Sequence, residues 1–175
     1  MDFERVLEKV EGFFSAGRFP WAVVGAAGLH AYGLTRVTTD LDFVTDAAAQ
    51  SGLVSFLVSE GYETVHLSQG YSNHVHSDPA RGQVDFVYIS GETSRRLFEE
   101  CRTMPFRGKT VRVPRPEHLA AMKIQAMKND PSRSLQDMAD VRFLLTVDGV
   151  NEEEIRAYFE KSGLRERYEE IKRLS

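Results

Sequence analysis

The stretch Asp40-Leu41-Asp42-Phe43-Val44 constrains this chain more than any other. Successive side chains of a strand point to opposite faces. Leu41 and Phe43 therefore claim one face for a core, and Asp40 and Asp42 are left together on the other. Two carboxylates about 5 Å apart repel by roughly 3 kcal/mol at an effective dielectric of ~20. A cation between them relieves that cost. The segment thus asks for a sheet with one buried face and one face open to a ligand. Ahead of it, the apolar run through Val23-Val24 ends in Gly25-Ala26-Ala27-Gly28. Backbone N–H groups at such a small-residue turn can hold phosphate oxygens, although close helix-to-strand packing needs small residues too. The first expectation is a divalent metal site beside a phosphate-binding turn.

A third acid strengthens it. Asp85 is the lone charge in Val84-Asp85-Phe86-Val87, and its neighbours point to the opposite face. If the two strands are adjacent, three carboxylates converge. Three oxygen ligands with open positions suit Mg²⁺ or Mn²⁺, and two such ions can clamp the attacking and leaving oxygens of a phosphoryl transfer. Taken singly, each acid also fits a solvated strand end or a turn cap.

Two cations have dual readings. Arg36 lies just before the acidic strand, where it can contact a phosphate, neutralise the acids or stand as an exposed loop arginine. Lys123 falls on the apolar stripe of its helix, with Leu119, Met122, Ala126 and Met127. A lysine there needs a ligand or a partner. Phosphate and an ion pair with Asp140 are equal alternatives, since Asp137 and Asp140 share a face of the next helix with Leu144. Asp137 can instead close a capping box with Ser134.

Along the chain, helical spacing of Phe3, Val6, Leu7, Val10 and Phe13 marks a first helix over residues 2–15. Strands are expected at Phe19–Gly25, Thr38–Val44, Tyr62–Leu67, Tyr71–His76 and Gln83–Ile89, the last two as a hairpin. Short helices are expected at 26–33, at 46–60 with an Asp46 cap, and at Thr93–Cys101, followed by a small hairpin in Met104–Val113 about Arg107-Gly108. The composition shifts at Pro114-Arg115-Pro116. Beyond it lie helices near 117–129, 133–147, 152–162 and 164–174. An Asn151/Glu154 cap and a Gly163 stop punctuate them. The expected division is an α/β core at 1–115 and a helical segment at 116–175 packed on it as one unit.

A net charge of −4 argues against a large nonspecific nucleic-acid surface. Arg95, Arg96, Arg102, Arg107, Lys109, Arg112 and Arg115 nonetheless give 95–115 a basic bias. That run supports an RNA surface if several share a face, and a mixed solvated surface otherwise. A single cysteine excludes an intrachain disulfide framework, and Cys101 reads as a small buried apolar residue. The acidic, amphipathic N-terminus is no signal peptide, and no apolar run approaches the ~20 residues of a membrane span. A cytoplasmic protein without membrane contact is expected. His74 and His76 alternate on one strand face, read as polar; no Cys/His spacing completes a zinc site.

The pattern Val24-Gly25-Ala26, Asp40-Leu41-Asp42 and Asp85 resembles the nucleotidyltransferase superfamily of the DNA polymerase β type. Within it, Arg36-Val37-Thr38-Thr39-Asp40-Leu41-Asp42 is similar to a segment of the minimal AbiEii-type toxin nucleotidyltransferases. So is Val113-Pro114-Arg115-Pro116-Glu117-His118-Leu119 followed by Lys123 and Asp137-Met138-Ala139-Asp140. The similarity spans about residues 20–147. It implies an α+β fold: a mixed-sheet nucleotidyltransferase core flanked by helices, with a C-terminal helical segment. It implies Mg²⁺ (or Mn²⁺) on Asp40, Asp42 and Asp85, and a nucleoside triphosphate held by Gly25, Ala26, Arg36 and Lys123. An NMP would pass to an acceptor hydroxyl, with a tRNA end, a protein side chain and an aminoglycoside-like drug all open as acceptors and a cognate antitoxin as a partner. Ala26 stands where the superfamily carries Ser or a second Gly, so a phosphate contact from a hydroxyl is missing. That departure favours the alternative, a non-catalytic nucleotide-binding or partner-binding protein of the same fold; the three acids favour the enzyme.

Overall fold

A computed structural model describes residues 1–173. The chain divides into two compact units, Met1–Pro114 and Arg115–Ser175. In the first, α1 (Phe3–Gly17) is followed by β1 (Trp21–Val23), α2 (Gly25–Ala31), β2 (Asp40–Asp46), α3 (Gln50–Ser59), β3 (Tyr62–Leu67), β4 (Tyr71–His76), β5 (Gln83–Ile89), α4 (Gly91–Glu99), β6 (Arg102–Phe106) and β7 (Lys109–Val113). The second contains α5 (Pro116–Asn129), α6 (Ser134–Leu144), α7 (Glu152–Lys161) and α8 (Arg165–Arg173). Among the described residues no helix is long and apolar enough to cross a membrane.

Five strands form one sheet in the order β1-β2-β5-β4-β3. Only β2 and β5 run parallel; the other neighbours are antiparallel, so the sheet is mixed. A parallel pair needs a long crossover. Here α3 and the β3–β4 pair supply it. One sheet face is apolar. Leu41, Phe43, Val84 and Phe86 are fully buried, and the Phe43 and Phe86 rings stack at 5.1 Å. Phe14 of α1 closes over them, 5.6 Å from Trp21 and 6.3 Å from Phe86. Each such side chain contributes about 1.5–3 kcal/mol on burial. This packing pins the register, because a one-residue slip would turn the phenylalanines outward.

The middle strands begin and end where the alternation and turn residues put them. β1 and β2 differ from expectation. β1 stops at Val23 because Gly25 turns the chain with a φ of +57°. β2 pairs from Asp40 rather than Thr38, and it ends on Asp46, whose carboxylate caps the next turn at the Ala48 N–H, 3.0 Å away. Arg107 and Gly108 both take positive φ, +48° and +79°, as a tight turn between β6 and β7 requires. In the helical unit, Asn151 caps α7 through the Glu154 N–H at 3.1 Å. The Ser134/Asp137 capping box does not form: α6 has no side-chain cap at its start, and Asp137 is bonded elsewhere.

The face carrying His74 is turned inward. His74 is fully buried, with Nδ1 3.1 Å from Thr64 Oγ1 and Nε2 2.8 Å from Ser72 Oγ. Ser72 Oγ in turn lies 2.7 Å from the Tyr88 hydroxyl. The expected polar strand face is therefore a hydrogen-bonded chain inside the core, and burial lowers the His74 pKa. Cys101 is half-buried, its thiol 3.2 Å from the Leu97 carbonyl, and burial pushes its pKa up to about 11.

Candidate active site

The other sheet face holds the acids. In the β2–β5 register Asp42 lies opposite Asp85, with Asp40 two residues before Asp42 on the same face. Each of the three offers a carboxylate oxygen, and these oxygens lie within 4.8 Å of one another. Asp85 is buried, while Asp40 and Asp42 are half-exposed. Sequence alternation alone brings Asp40 and Asp42 together; the parallel pairing adds Asp85.

The small-residue turn abuts this cluster. A Cβ on Gly25 would run into the Asp42 carboxylate, and the positive φ excludes most side chains as well. Glycine is needed there on both counts. Val24 anchors the turn by donating its N–H to the Asp42 carbonyl at 2.9 Å. Ala26 follows with its side chain buried. Arg36 is half-buried in the connection between α2 and β2. From the same connection Thr38 donates its hydroxyl to the Asp40 carboxylate at 2.5 Å.

Asp85 is more heavily supported. Asn73, its register partner on β4, donates its amide to Oδ1. Gln83, on the same strand face, approaches both carboxylate oxygens at 3.2 and 3.1 Å. Tyr71 contributes a further hydrogen bond. Burial raises the Asp85 pKa above the usual carboxylate value, the Asp40 charge adds to the rise, and the three donors oppose it. Sequence reasoning missed Asn73, Gln83 and Tyr71. Strand alternation alone aligns Gln83 with Asp85, whereas counting outward from the 77–82 turn would set His74 opposite Asp85; only the observed register, with Val75 opposite Gln83, brings Asn73 there.

Lys123 belongs to the helical unit. Its ammonium lies 3.0 Å from Asp137 Oδ1 and 2.7 Å from Asp140 Oδ2, and all three residues are buried. The ion-pair alternative is the one realised. The basic stretch resolves as a mixed surface. Arg95 pairs with Glu92 and Glu99, Arg96 with Glu100, Lys109 with Glu4 and Glu8, and Arg115 with Glu154. Arg112 donates to the Phe98 carbonyl, and the Arg107 guanidinium lies 4.5 Å from the Phe3 ring centroid.

Residues 13–175 match the family described as nucleotidyl transferase AbiEii toxin, type IV toxin–antitoxin system. The chain belongs to this family. As an AbiEii family member it is a nucleotidyltransferase by descent. No curated protein sequence matches it. Solved structures similar to it include the antibiotic-resistance factor ANT(2″)-Ia in solution, at 13% identity and TM-score 0.68, covering 99% of this chain and 97% of that one. ANT(2″)-Ia in complex with adenylyl-2″-tobramycin is similar at 14% identity and TM-score 0.66, with 94% and 97% covered. The lincosamide antibiotic adenylyltransferase LnuA, lincomycin-bound, follows at 15% and 0.59, with 82% and 97% covered. At such identities these neighbours share the AbiEii member's fold.

Proposed function

We propose that this AbiEii family member transfers an NMP from an NTP to an acceptor hydroxyl, with Asp40, Asp42 and Asp85 as its Mg²⁺ or Mn²⁺ ligands. The observation that carries this is the convergence of three carboxylates beside the Gly25 turn, in a register fixed by the core on the opposite sheet face. The donor set fits the ion: all ligands are hard oxygens, carried on two strands, β2 and β5, whose sequences contain no lysine or arginine. Bound there, divalent ions would make the acceptor hydroxyl more acidic and neutralise charge building on the phosphate oxygens. Gly25 and Ala26 bring backbone close to the triphosphate, and Arg36 adds a cationic contact. The acceptor oxygen forms its bond to the α-phosphorus as the bond to pyrophosphate breaks. A phosphate-contacting role for Lys123 is a separate proposal, because two carboxylates already neutralise it.

The acceptor is a tRNA end or a protein hydroxyl. The internal pairing of the basic run favours a protein, or an RNA gripped over few phosphates, since a long RNA track needs uncommitted cations. Among the structural neighbours, LnuA is lincomycin-bound and ANT(2″)-Ia is in complex with adenylyl-2″-tobramycin, which supports a compact acceptor group. Membership of a type IV toxin family supports a cognate antitoxin as partner.

The test is incubation with α-labelled triphosphates, Mg²⁺, total tRNA and a protein extract, with Asp42→Ala alongside. Label on RNA or protein that disappears in the variant is expected. Label that survives Asp42→Ala overturns the assignment of these acids. Binding of a triphosphate without transfer to either pool favours the non-catalytic alternative raised by Ala26.

A further inference from the structure

We infer that Asn73, Gln83 and Tyr71 are positioning residues that select which lone pair of Asp85 faces the other two acids. The inference rests on the metal-ligand reading of Asp40, Asp42 and Asp85. The three acids are not equivalently held. Asp40 receives the Thr38 hydroxyl. Asp85 receives the Asn73 amide on Oδ1, the Gln83 amide across Oδ1 and Oδ2, and a hydrogen bond from Tyr71. A carboxylate has about four lone-pair sites, so three donors leave roughly one for an external ligand.

The arrangement follows from strand geometry. Tyr71 and Asn73 alternate onto one face of β4, Gln83 and Asp85 onto the same face of β5, and Asn73 is the register partner of Asp85. Asp85 is buried and so has few other means of fixing its orientation. All three donors are neutral. They orient the carboxylate without cancelling the charge that draws a cation, whereas a lysine or arginine there would replace the metal. Hydrogen-bonded partners of this kind tune metal ligands, and their loss costs about 10–100-fold in metal affinity or activity.

The experiment titrates Mn²⁺ by electron paramagnetic resonance into the full chain with a non-hydrolysable triphosphate analogue. The parent, Asn73→Leu and Asn73→His are compared, and calorimetry gives analogue affinity. Two ions are expected in the parent, one with the triphosphate on Asp40 and Asp42 and one that needs Asp85. Asn73→Leu should keep analogue affinity and the first ion while weakening the second about 10–100-fold. Asn73→His, which restores an N–H donor, should recover it. Second-ion binding in Asn73→Leu equal to the parent's overturns the inference. So does joint loss of both ions and the analogue, which marks a purely structural role. A parent that binds no Mn²⁺ overturns the metal reading itself, and this inference with it.

Discussion

Asp40, Asp42 and Asp85 in the first unit and Asp137 and Asp140 in the second are both carboxylate clusters, but Asp137 and Asp140 share a buried lysine, whereas Asp85, the buried member of the first, is held by neutral donors. Lys123 touches Asp137 and Asp140, Gln136 donates to Asp140 at 3.2 Å, and Arg133 lies 3.9 Å from Asp137. Asn73, Gln83 and Tyr71, which hydrogen-bond Asp85, are all neutral. A cluster with an internal counter-ion is complete when folded. A buried carboxylate held by amides and a hydroxyl keeps a charge that those partners do not cancel, at some cost, and is ready for a ligand that brings positive charge. The two clusters should therefore respond in opposite ways to removal of a member.

The largest effect is expected at Asp85. Asp85→Asn keeps an oxygen to accept from Asn73 and Gln83 but removes the charge. Nucleotide transfer should fall to background. Stability at pH 7 should hold or rise, because burial and the Asp40 charge both disfavour ionised Asp85 in the folded chain. The sign is that of a carboxylate whose folded pKa is raised: its protonated form favours folding, and that contribution is lost as pH climbs past the unfolded value. Urea unfolding of parent and variant checks it. A variant clearly less stable than the parent would erase the contrast between the clusters.

Removing the cation from the second cluster should do the reverse. Lys123→Met leaves two buried aspartates without their lysine, and breaking a buried pair typically costs about 3–5 kcal/mol. Asp137 already has one carboxylate oxygen, Oδ2, without a hydrogen bond. Denaturant midpoints should drop accordingly. The same variant, kept under conditions where it is folded, sharpens the phosphate question. Unchanged triphosphate affinity would leave Lys123 a purely structural residue, and a tenfold loss or more would give it a second role.

Much of the first unit was legible because β3, β4 and β5 are short runs bounded by strong breakers. Gly61, Ser68-Gln69-Gly70 and the 77–82 turn leave their ends little choice. The acids were legible for the same reason, since alternation assigns a face without knowledge of neighbours. What alternation cannot give is pairing. Asn73 and Tyr71 read as ordinary strand polars until β4 is laid against β5. The basic run had two open readings, and pairing chose the mixed surface: Glu4 and Glu8 reach Lys109 from α1, about a hundred positions away along the chain. His74 was assigned the right neighbours in alternation but the wrong environment, because the hydroxyls of Thr64, Ser72 and Tyr88 make a buried polar chain tolerable there. Lys123 had two equal readings, and only the helix packing chose the pair.

His74 supplies the smallest expected effect and a control inside the same sheet, on the face away from the acids. Its ring is neutral in the core, donating through one nitrogen and accepting through the other, and burial holds its pKa below the ordinary histidine value of 6.5. The unfolded chain therefore binds this proton at higher pH than the folded chain does. Stability from His74 is complete above pH 6.5 and declines as pH falls from there toward the lowered folded value. The decline can reach at most about 1.4 kcal/mol per pH unit for one proton. His74→Gln, which keeps a donor and an acceptor but does not titrate, should flatten unfolding free energy between about pH 7 and 5.5 relative to the parent. An identical slope in both proteins would mean that His74 has the same pKa folded and unfolded, and a parent that gains stability as pH falls would mean that His74 is protonated in the core, with Thr64 and Ser72 both accepting from it.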